Sequence, residues 1–234
     1  MPTIIRQTIA GLSTLTRQLD AHQLEDSNAK PDKAIIFLHG WGADGADLMD
    51  LSQVIAMAHP TALFYAPDGP EPCSANPMGR QWFALDGDQS SIDRGPDQAM
   101  PALKEMLDHI TTSTGLSLDR IWLLGFSQGG MMALHIATRL EASLGGVMSF
   151  SGALLAPDQL AASITSRPPV LLVHGEDDQV VPFQALAIAE AVLSQNDLPV
   201  TTLPRKGLDH GIDQEGFQCA IEFIRETAGD YIFH

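Results

Sequence analysis

The chain has 234 residues, of which 44% are hydrophobic and 18% are charged, a composition typical of a globular protein. Its 29 acidic residues outnumber its 13 Lys and Arg residues, and the resulting net charge of −16 argues against nucleic acid or anionic membrane surfaces as partners. The sequence has no recognisable signal peptide and no apolar stretch of about 18 residues, so stable membrane insertion is not expected and the cytoplasm is the default location.

Short apolar runs alternate with helical segments along the chain. An unbroken apolar run is typical of a strand that is buried on both faces of a parallel sheet. Such runs predict strands at 34–38, 62–66, 121–124, 146–150 and 170–173, with a weaker, edge-like strand at 200–203. Helices are predicted between them at 48–58, 96–112, 131–140, 183–193 and 217–224. This alternation indicates an α/β fold whose central sheet is mostly parallel and covered by helices on both faces.

Two segments depart from this alternation. Residues 1–30 are interpreted as an N-terminal extension that adds a strand or a hairpin. Residues 67–94 begin with several Pro and Gly and have no clean period, and irregular segments of this length often carry function. The chain has no internal repeat and no low-complexity tract, so residues 1–234 are expected to form a single domain.

The strongest chemical signal is Gly125-Phe126-Ser127-Gln128-Gly129, which has the pattern G-x-S-x-G between a predicted strand and a predicted helix. A sharp turn between such elements strains the serine backbone and projects its hydroxyl out of the fold. The pattern alone would occur by chance in roughly one in ten chains of this composition, but the strand–turn–helix context makes chance a poor explanation. Ser127 is therefore predicted to be a nucleophile.

A serine hydroxyl needs a base, and in this context an acid and then a histidine follow the serine along the chain. Asp178 is the first choice for the acid and Asp177 is the alternative. Both follow the end of a predicted strand, and their spacing alone does not separate them. Only two histidines follow, and His234 is the last residue. His210 lies in a loop between two glycines and is the predicted base.

Attack by a serine also requires two donors for the oxyanion of the tetrahedral intermediate. The backbone N–H of Gln128, the residue after the nucleophile, is the first expected donor. The second is expected in the glycine-rich loop that follows the strand at 34–38, where the backbone N–H of Trp41 is the candidate. His39, in the same loop, precedes the serine in the chain and is assigned a structural role.

Taken together, these segments resemble the phospholipase/carboxylesterase family, which includes carboxylesterase II and acyl-protein thioesterase relatives. The matching pieces are 38–44, 80–83, 125–130, 174–182 and His210, and they extend over most of the chain. The resemblance implies the α/β-hydrolase fold and a triad of Ser127, Asp178 and His210. It favours Asp178 over Asp177, because the acid of the family stands four residues after the His of a His-Gly pair.

The resemblance further implies a serine hydrolase that cleaves carboxylic esters through an acyl-enzyme, without a metal or an organic cofactor. The expected partner is a small-molecule ester with a short to medium acyl group, and the sequence leaves a homodimer open. Lysophospholipase or acyl-thioesterase activity at the same site, or a non-catalytic member that only binds a ligand, are the alternatives. The residues expected to bind the acyl chain are Met78, Trp82, Phe83 and Leu154, with Leu85 and Leu155 as further candidates for the pocket wall.

Overall fold

The computed structural model describes residues 3–19, 30–85, 87 and 89–230. Its strands are β1 (Ile4–Ile9), β2 (Leu12–Arg17), β3 (Lys33–Leu38), β4 (Ala62–Pro67), β5 (Glu71–Pro72), β6 (Arg80–Gln81), β7 (Ile121–Phe126), β8 (Gly146–Phe150), β9 (Val170–Gly175) and β10 (Val200–Arg205). Its helices are α1 (Ala46–Met49), α2 (Leu51–Ala58), α3 (Gln89–Thr114), α4 (Gln128–Ala137), α5 (Leu160–Ser163), α6 (Gln184–Gln195) and α7 (Gln214–Ala228).

The main sheet of the described residues has eight strands in the order β1-β2-β4-β3-β7-β8-β9-β10. From β4 to β10 each strand runs parallel to its neighbour. The hairpin of β1 and β2 pairs antiparallel and joins the sheet alongside β4. The sequence left an added strand or a hairpin open for residues 1–30; the described part forms this hairpin, while residues 1–2 and 20–29 lie outside the described residues.

Two apolar cores lie on opposite faces of this sheet. They explain why residues 34–38 of β3 form one continuous apolar run. Ile36 and Leu38 pack into the core that includes α3, α4 and α6, whereas Ile35 and Phe37 pack into the core that includes α1, α2 and α7. Successive side chains of a strand point to opposite faces, so a strand with helices on both sides needs apolar residues at every position.

The elements differ from the predicted ones mainly at their ends. The helix predicted at 96–112 begins at Gln89 and so contains Pro96 and Pro101. The helix predicted at 48–58 is divided at Asp50 into α1 and α2. The small antiparallel pair of β5 and β6 was not predicted, because strands of two residues have no period to detect.

The parallel strands bring the predicted site residues to one edge of the sheet. Trp41, Ser127, Asp178 and His210 follow the carboxyl ends of β3, β7, β9 and β10, respectively. In open parallel sheets this is the edge where ligand and catalytic groups gather. No helix of the described part of the chain is long and apolar enough to cross a bilayer.

Candidate active site

Ser127 lies in the sharp turn between β7 and α4, with φ 53° and ψ −119°. Residues with a Cβ atom rarely adopt a positive φ, so the backbone at Ser127 is strained. The Ser127 N–H donates to the carbonyl oxygen of Phe150 at 2.8 Å, which ties the turn to the end of the neighbouring strand β8. The turn predicted from G-x-S-x-G is therefore present, with the serine at the amino end of a helix.

The glycines of this motif are required by close backbone packing. A Cβ atom added to Gly125 would clash with the carbonyl group of Gly129, and one added to Gly129 would clash with the carbonyl oxygen of Leu38. These contacts are with backbone atoms, which cannot swing away as a long side chain can. The small residues two before and two after the serine thus allow the turn to close.

Asp178 and His210, predicted from separate loops, are hydrogen-bonded to each other. The Nδ1 atom of His210 lies 2.8 Å from Oδ2 of Asp178, whose side chain is fully buried. A carboxylate only accepts hydrogen bonds, so Nδ1 of His210 is the protonated nitrogen and Nε2 is left to accept from another donor. This is the tautomer that a general base facing a serine requires.

The surroundings of Asp178 keep it negatively charged. Its Oδ1 atom accepts the N–H groups of Val180 at 2.8 Å and Val181 at 2.9 Å. Burial alone would raise the pKa of the Asp178 carboxyl, but the hydrogen bonds from His210, Val181 and Val180 outweigh it and hold the pKa below its ordinary value. Asp177, the alternative acid, is exposed to solvent instead.

His174 also contacts the Asp178 loop, and this role was not predicted from the sequence. Its Nε2 atom lies 2.9 Å from the carbonyl oxygen of Val181 and 3.3 Å from Oδ2 of Asp178. Both of these oxygens accept, so Nε2 carries a hydrogen and helps to hold the Asp178 loop. The position of His174 four residues before Asp178, at the end of a buried strand, was the available signal.

Ser127 and His210 line one cavity of about 350 Å³, together with Gly40, Trp41 and Gln128. The ring of His210 packs against that of Phe126, with ring centroids 4.8 Å apart. Another cavity, of about 380 Å³ beside β2 and α3, contains none of the predicted site residues. The structure therefore brings the predicted nucleophile, base and oxyanion donors to the same cavity.

The four residues predicted to bind the acyl chain do not line this cavity. Trp82 and Phe83 are 1% and 0% exposed and belong to the core, as does Leu154 at 7%, whereas Met78 is 89% exposed to solvent. Large aromatic rings bury much apolar area, and here that area is buried in the core rather than against a ligand. The apolar side chains that line the cavity are Leu85, Phe126, Met131, Val180 and Val181, and of these Leu85 was a further pocket candidate from the sequence.

The segment around Trp82 instead holds the loop that carries Trp41. The Gly42 N–H donates to the Arg80 carbonyl oxygen at 2.9 Å, and the Arg80 N–H donates to the Ala43 carbonyl oxygen at 2.7 Å. The indole Nε1 of Trp41 donates to Oε1 of Gln81 at 3.0 Å. The indole Nε1 of Trp82 donates to the carbonyl oxygen of His39 at 2.9 Å. The irregular segment at 67–94 thus fixes the glycine-rich loop through paired backbone and side-chain bonds.

The side chain of Gln128 ties the same segment to the nucleophile turn. Its Oε1 atom accepts the Trp82 N–H at 3.0 Å, and its Nε2 atom donates to the Phe83 carbonyl oxygen at 2.7 Å. The backbone N–H groups of Gln128 and Trp41 have no hydrogen-bond partner among the described residues. Both of these amides are therefore free to bind an oxygen atom in the cavity.

The model of the phospholipase/carboxylesterase family matches residues 19–228. The chain belongs to this family. Esterase YpfH of Escherichia coli (strain K12) is 29% identical to it over 215 residues, which cover 91% of this chain and 90% of that protein. The acyl-protein thioesterase 1 homolog 1 of Dictyostelium discoideum is 27% identical over 202 residues, covering 82% of this chain and 89% of that protein.

Among solved structures, the crystal structure of esterase PE8 is similar to the chain with a TM-score of 0.85 and 35% identity, covering 92% of this chain and 99% of that one. The fold is that of the α/β-hydrolases, and the protein is a carboxylic ester hydrolase of the phospholipase/carboxylesterase family. The described residues of this family member contain no group of three or more His, Cys, Asp or Glu side chains placed to hold a metal ion.

Replacing Gln128 with Met tests the bridge between the two halves of the site. The variant keeps the backbone N–H but leaves the Trp82 N–H and the Phe83 carbonyl unpaired, which costs about 1–3 kcal/mol for each buried group. We expect a lower free energy of unfolding in urea and a roughly tenfold lower kcat with a smaller change in KM, because the two amides predicted to bind the oxyanion would lose their alignment. The matched control is Gln53→Met, at an exposed position on α2. Wild-type stability and kcat in Gln128→Met would show that the bridge is unimportant.

His39 supports the glycine-rich loop as a buried, neutral imidazole. Its Nε2 atom accepts the Gly69 N–H at 2.8 Å, so its Nδ1 atom carries the hydrogen and donates to the Gly40 carbonyl oxygen at 2.7 Å. Burial lowers the pKa of His39, and nearby acidic groups offset only part of that effect. These contacts agree with the structural role assigned to His39 from the sequence.

The lowered pKa of His39 predicts a loss of stability in mild acid. Unfolded His39 takes up a proton near pH 6.5 and the folded residue only at lower pH, so its contribution is present above pH 6.5 and is lost as the pH falls toward the folded pKa. We expect the free energy of unfolding in urea to decrease as the pH falls from 7.5 to 5. The decrease should be smaller in His39→Gln, because the glutamine Oε1 can accept the Gly69 N–H without titrating. His109→Gln, on the surface of α3, should leave the slope unchanged; an equal slope in His39→Gln would contradict the prediction.

Proposed function

We propose that the chain hydrolyses small carboxylic esters through an acyl-enzyme, with Ser127 as nucleophile, His210 as base and Asp178 as the acid that orients it. The observation that carries this proposal is the strained turn at Ser127, which shares one cavity with an imidazole whose Nδ1 is held by a buried carboxylate. Such a turn is uncommon for a non-glycine residue and is retained where function requires it.

The chemistry follows from these positions. Nε2 of His210 accepts the hydroxyl proton of Ser127 as the oxygen attacks the acyl carbon, and Asp178 stabilises the imidazolium that forms. The unpaired N–H groups of Trp41 and Gln128 bind the oxyanion, aided by the amino end of α4. His210 then gives its proton to the departing alcohol. Water, deprotonated by the same imidazole, releases the acid from Ser127 in a second attack.

The cavity supports a short or medium acyl group. Its volume of about 350 Å³ is near the lower end of the range of roughly 300–1,000 Å³ found for ligand sites. The side chains of Leu85, Met131, Val180 and Val181 give it an apolar wall against which an acyl chain can be buried. Lysophospholipids and acyl thioesters carry the same carbonyl chemistry, so a series of p-nitrophenyl esters run beside lysophosphatidylcholine and an acyl thioester tests the preference directly.

Labelling with a fluorophosphonate tests the nucleophile. This reagent phosphonylates a serine only when a base activates the hydroxyl, so we expect one adduct, on the tryptic peptide that contains Ser127. Ser127→Ala is the control and should not be labelled. A folded wild-type sample that takes up no reagent and releases no acid from esters would favour the alternative, a member of the fold that binds an apolar ligand without catalysis.

A further inference from the structure

The cavity contains one carboxylate that the proposed mechanism does not use. Asp47 in α1 lines it beside Trp41 and Ala43. The Asp47 side chain is exposed and has no ion pair or hydrogen bond to any of the described residues, unlike its neighbours. Asp44 accepts the Ala46 N–H at 2.8 Å, and Asp68 pairs with Arg6 at 2.8 Å. Asp47 is therefore free to interact with a bound molecule.

No positive side chain balances this charge within the described lining of the cavity, which includes neither Lys nor Arg. Asp68, Asp44 and Asp47 each act on His39 in the direction that raises its pKa, so three carboxylates lie near the loop that carries Trp41. The net charge of −16 adds a negative potential at longer range. A substrate that enters the cavity thus meets negative charge on one side.

The lining of the cavity contains apolar side chains and the Asp47 carboxylate. An acyl chain gains most by contact with the apolar side chains of Leu85, Met131, Val180 and Val181. With the acyl chain bound against them, the alcohol part is the part of the ester that we expect to meet Asp47. An alcohol or thiol with a phosphate or sulfonate group is repelled there, whereas one with an ammonium group is attracted.

We propose that Asp47 is a specificity-determining residue that selects esters with neutral or cationic leaving groups and disfavours anionic ones. This inference rests on the proposed function and names the substrate class of the same site. It predicts slow hydrolysis of phosphate-bearing thioesters and lysophosphatidates relative to uncharged esters of equal acyl length.

The test uses three butyrate esters of small two-carbon alcohols that carry different charges: choline (positive), ethylene glycol (neutral) and isethionate (negative). Release of butyric acid is followed by titration at constant pH, so one assay serves all three. The cavity is open to solvent, so we expect each unit of charge on the leaving group to change kcat/KM by about threefold. The ratio of kcat/KM for the choline ester to that for the isethionate ester is the readout.

At low ionic strength we expect this ratio to fall about tenfold in Asp47→Asn and to stay at the wild-type value in Asp50→Asn, an exposed carboxylate of the same region that does not line the cavity. Added salt should compress the wild-type ratio toward that of Asp47→Asn. Equal ratios in the wild type and Asp47→Asn, with the neutral ester hydrolysed normally, would overturn the inference and leave the proposed function intact. Failure of the wild type to hydrolyse any of the three esters would remove both.

Discussion

Ser127→Ala is expected to lower kcat/KM for a short-chain p-nitrophenyl ester by about five orders of magnitude or more. The substitution removes the proposed attacking oxygen but leaves the cavity, the two unpaired amides of Trp41 and Gln128, and the bond between His210 and Asp178 in place. Residual turnover should therefore come from substrate binding and oxyanion stabilisation alone. Stopped assays with high enzyme concentration measure such low rates, and activity within about tenfold of wild type would rule out Ser127 as the nucleophile.

Ser127→Gly separates the chemistry from the folding of the turn. Glycine adopts φ 53° without the clash that strains a residue with a Cβ, and strain of this kind is worth about 1–3 kcal/mol. We expect this variant to be as inactive as Ser127→Ala. Its free energy of unfolding in urea should be higher than that of Ser127→Ala. A stable but inactive protein would show that activity is lost through the missing hydroxyl and not through damage to the fold.

The order of elements and the turn at Ser127 were predictable because they depend on local patterns. β3 needs apolar residues on both faces, and the turn needs glycines where backbones touch, so both requirements are written in consecutive residues. Asp178 was the first choice from the sequence, but only the family resemblance separated it from Asp177, since its burial beside His210 depends on how two distant loops fold together. The structure now gives a physical difference between Asp178, which is buried, and Asp177, which is exposed.

Of the apolar residues that line the cavity, Leu85 was expected from the sequence and the others were not. Trp82 and Phe83 lie in a segment without a period, and an isolated aromatic residue gives no sign of whether it packs in a core or faces a ligand. Val180 and Val181 were missed because their role depends on the loop of Asp178, which turns their side chains toward the cavity. Two successive apolar residues that follow Asp178 after one intervening residue were the signal in the sequence.

Asp178→Asn is expected to lower kcat by about three to four orders of magnitude while leaving the protein folded. The N–H groups of Val180 and Val181 require an acceptor, so the amide oxygen should replace Oδ1 and the amide nitrogen should face His210. An NH2 group donates, and His210 must then present a bare Nδ1 and carry its hydrogen on Nε2. In that tautomer Nε2 cannot accept the proton of Ser127, although the positions of the heavy atoms hardly change.

Asp177→Asn is the matched control, because it makes the same chemical change one residue away at an exposed position. It should retain kcat near the wild-type value, whereas Asp178→Asn should lose it at every pH at which the wild type is active. Equal losses in the two variants would mean that the charge of the loop matters and the tautomer of His210 does not. Full activity in Asp178→Asn would mean that a neutral amide suffices to orient the imidazole, and the assignment of Asp178 as the acid would have to be given up.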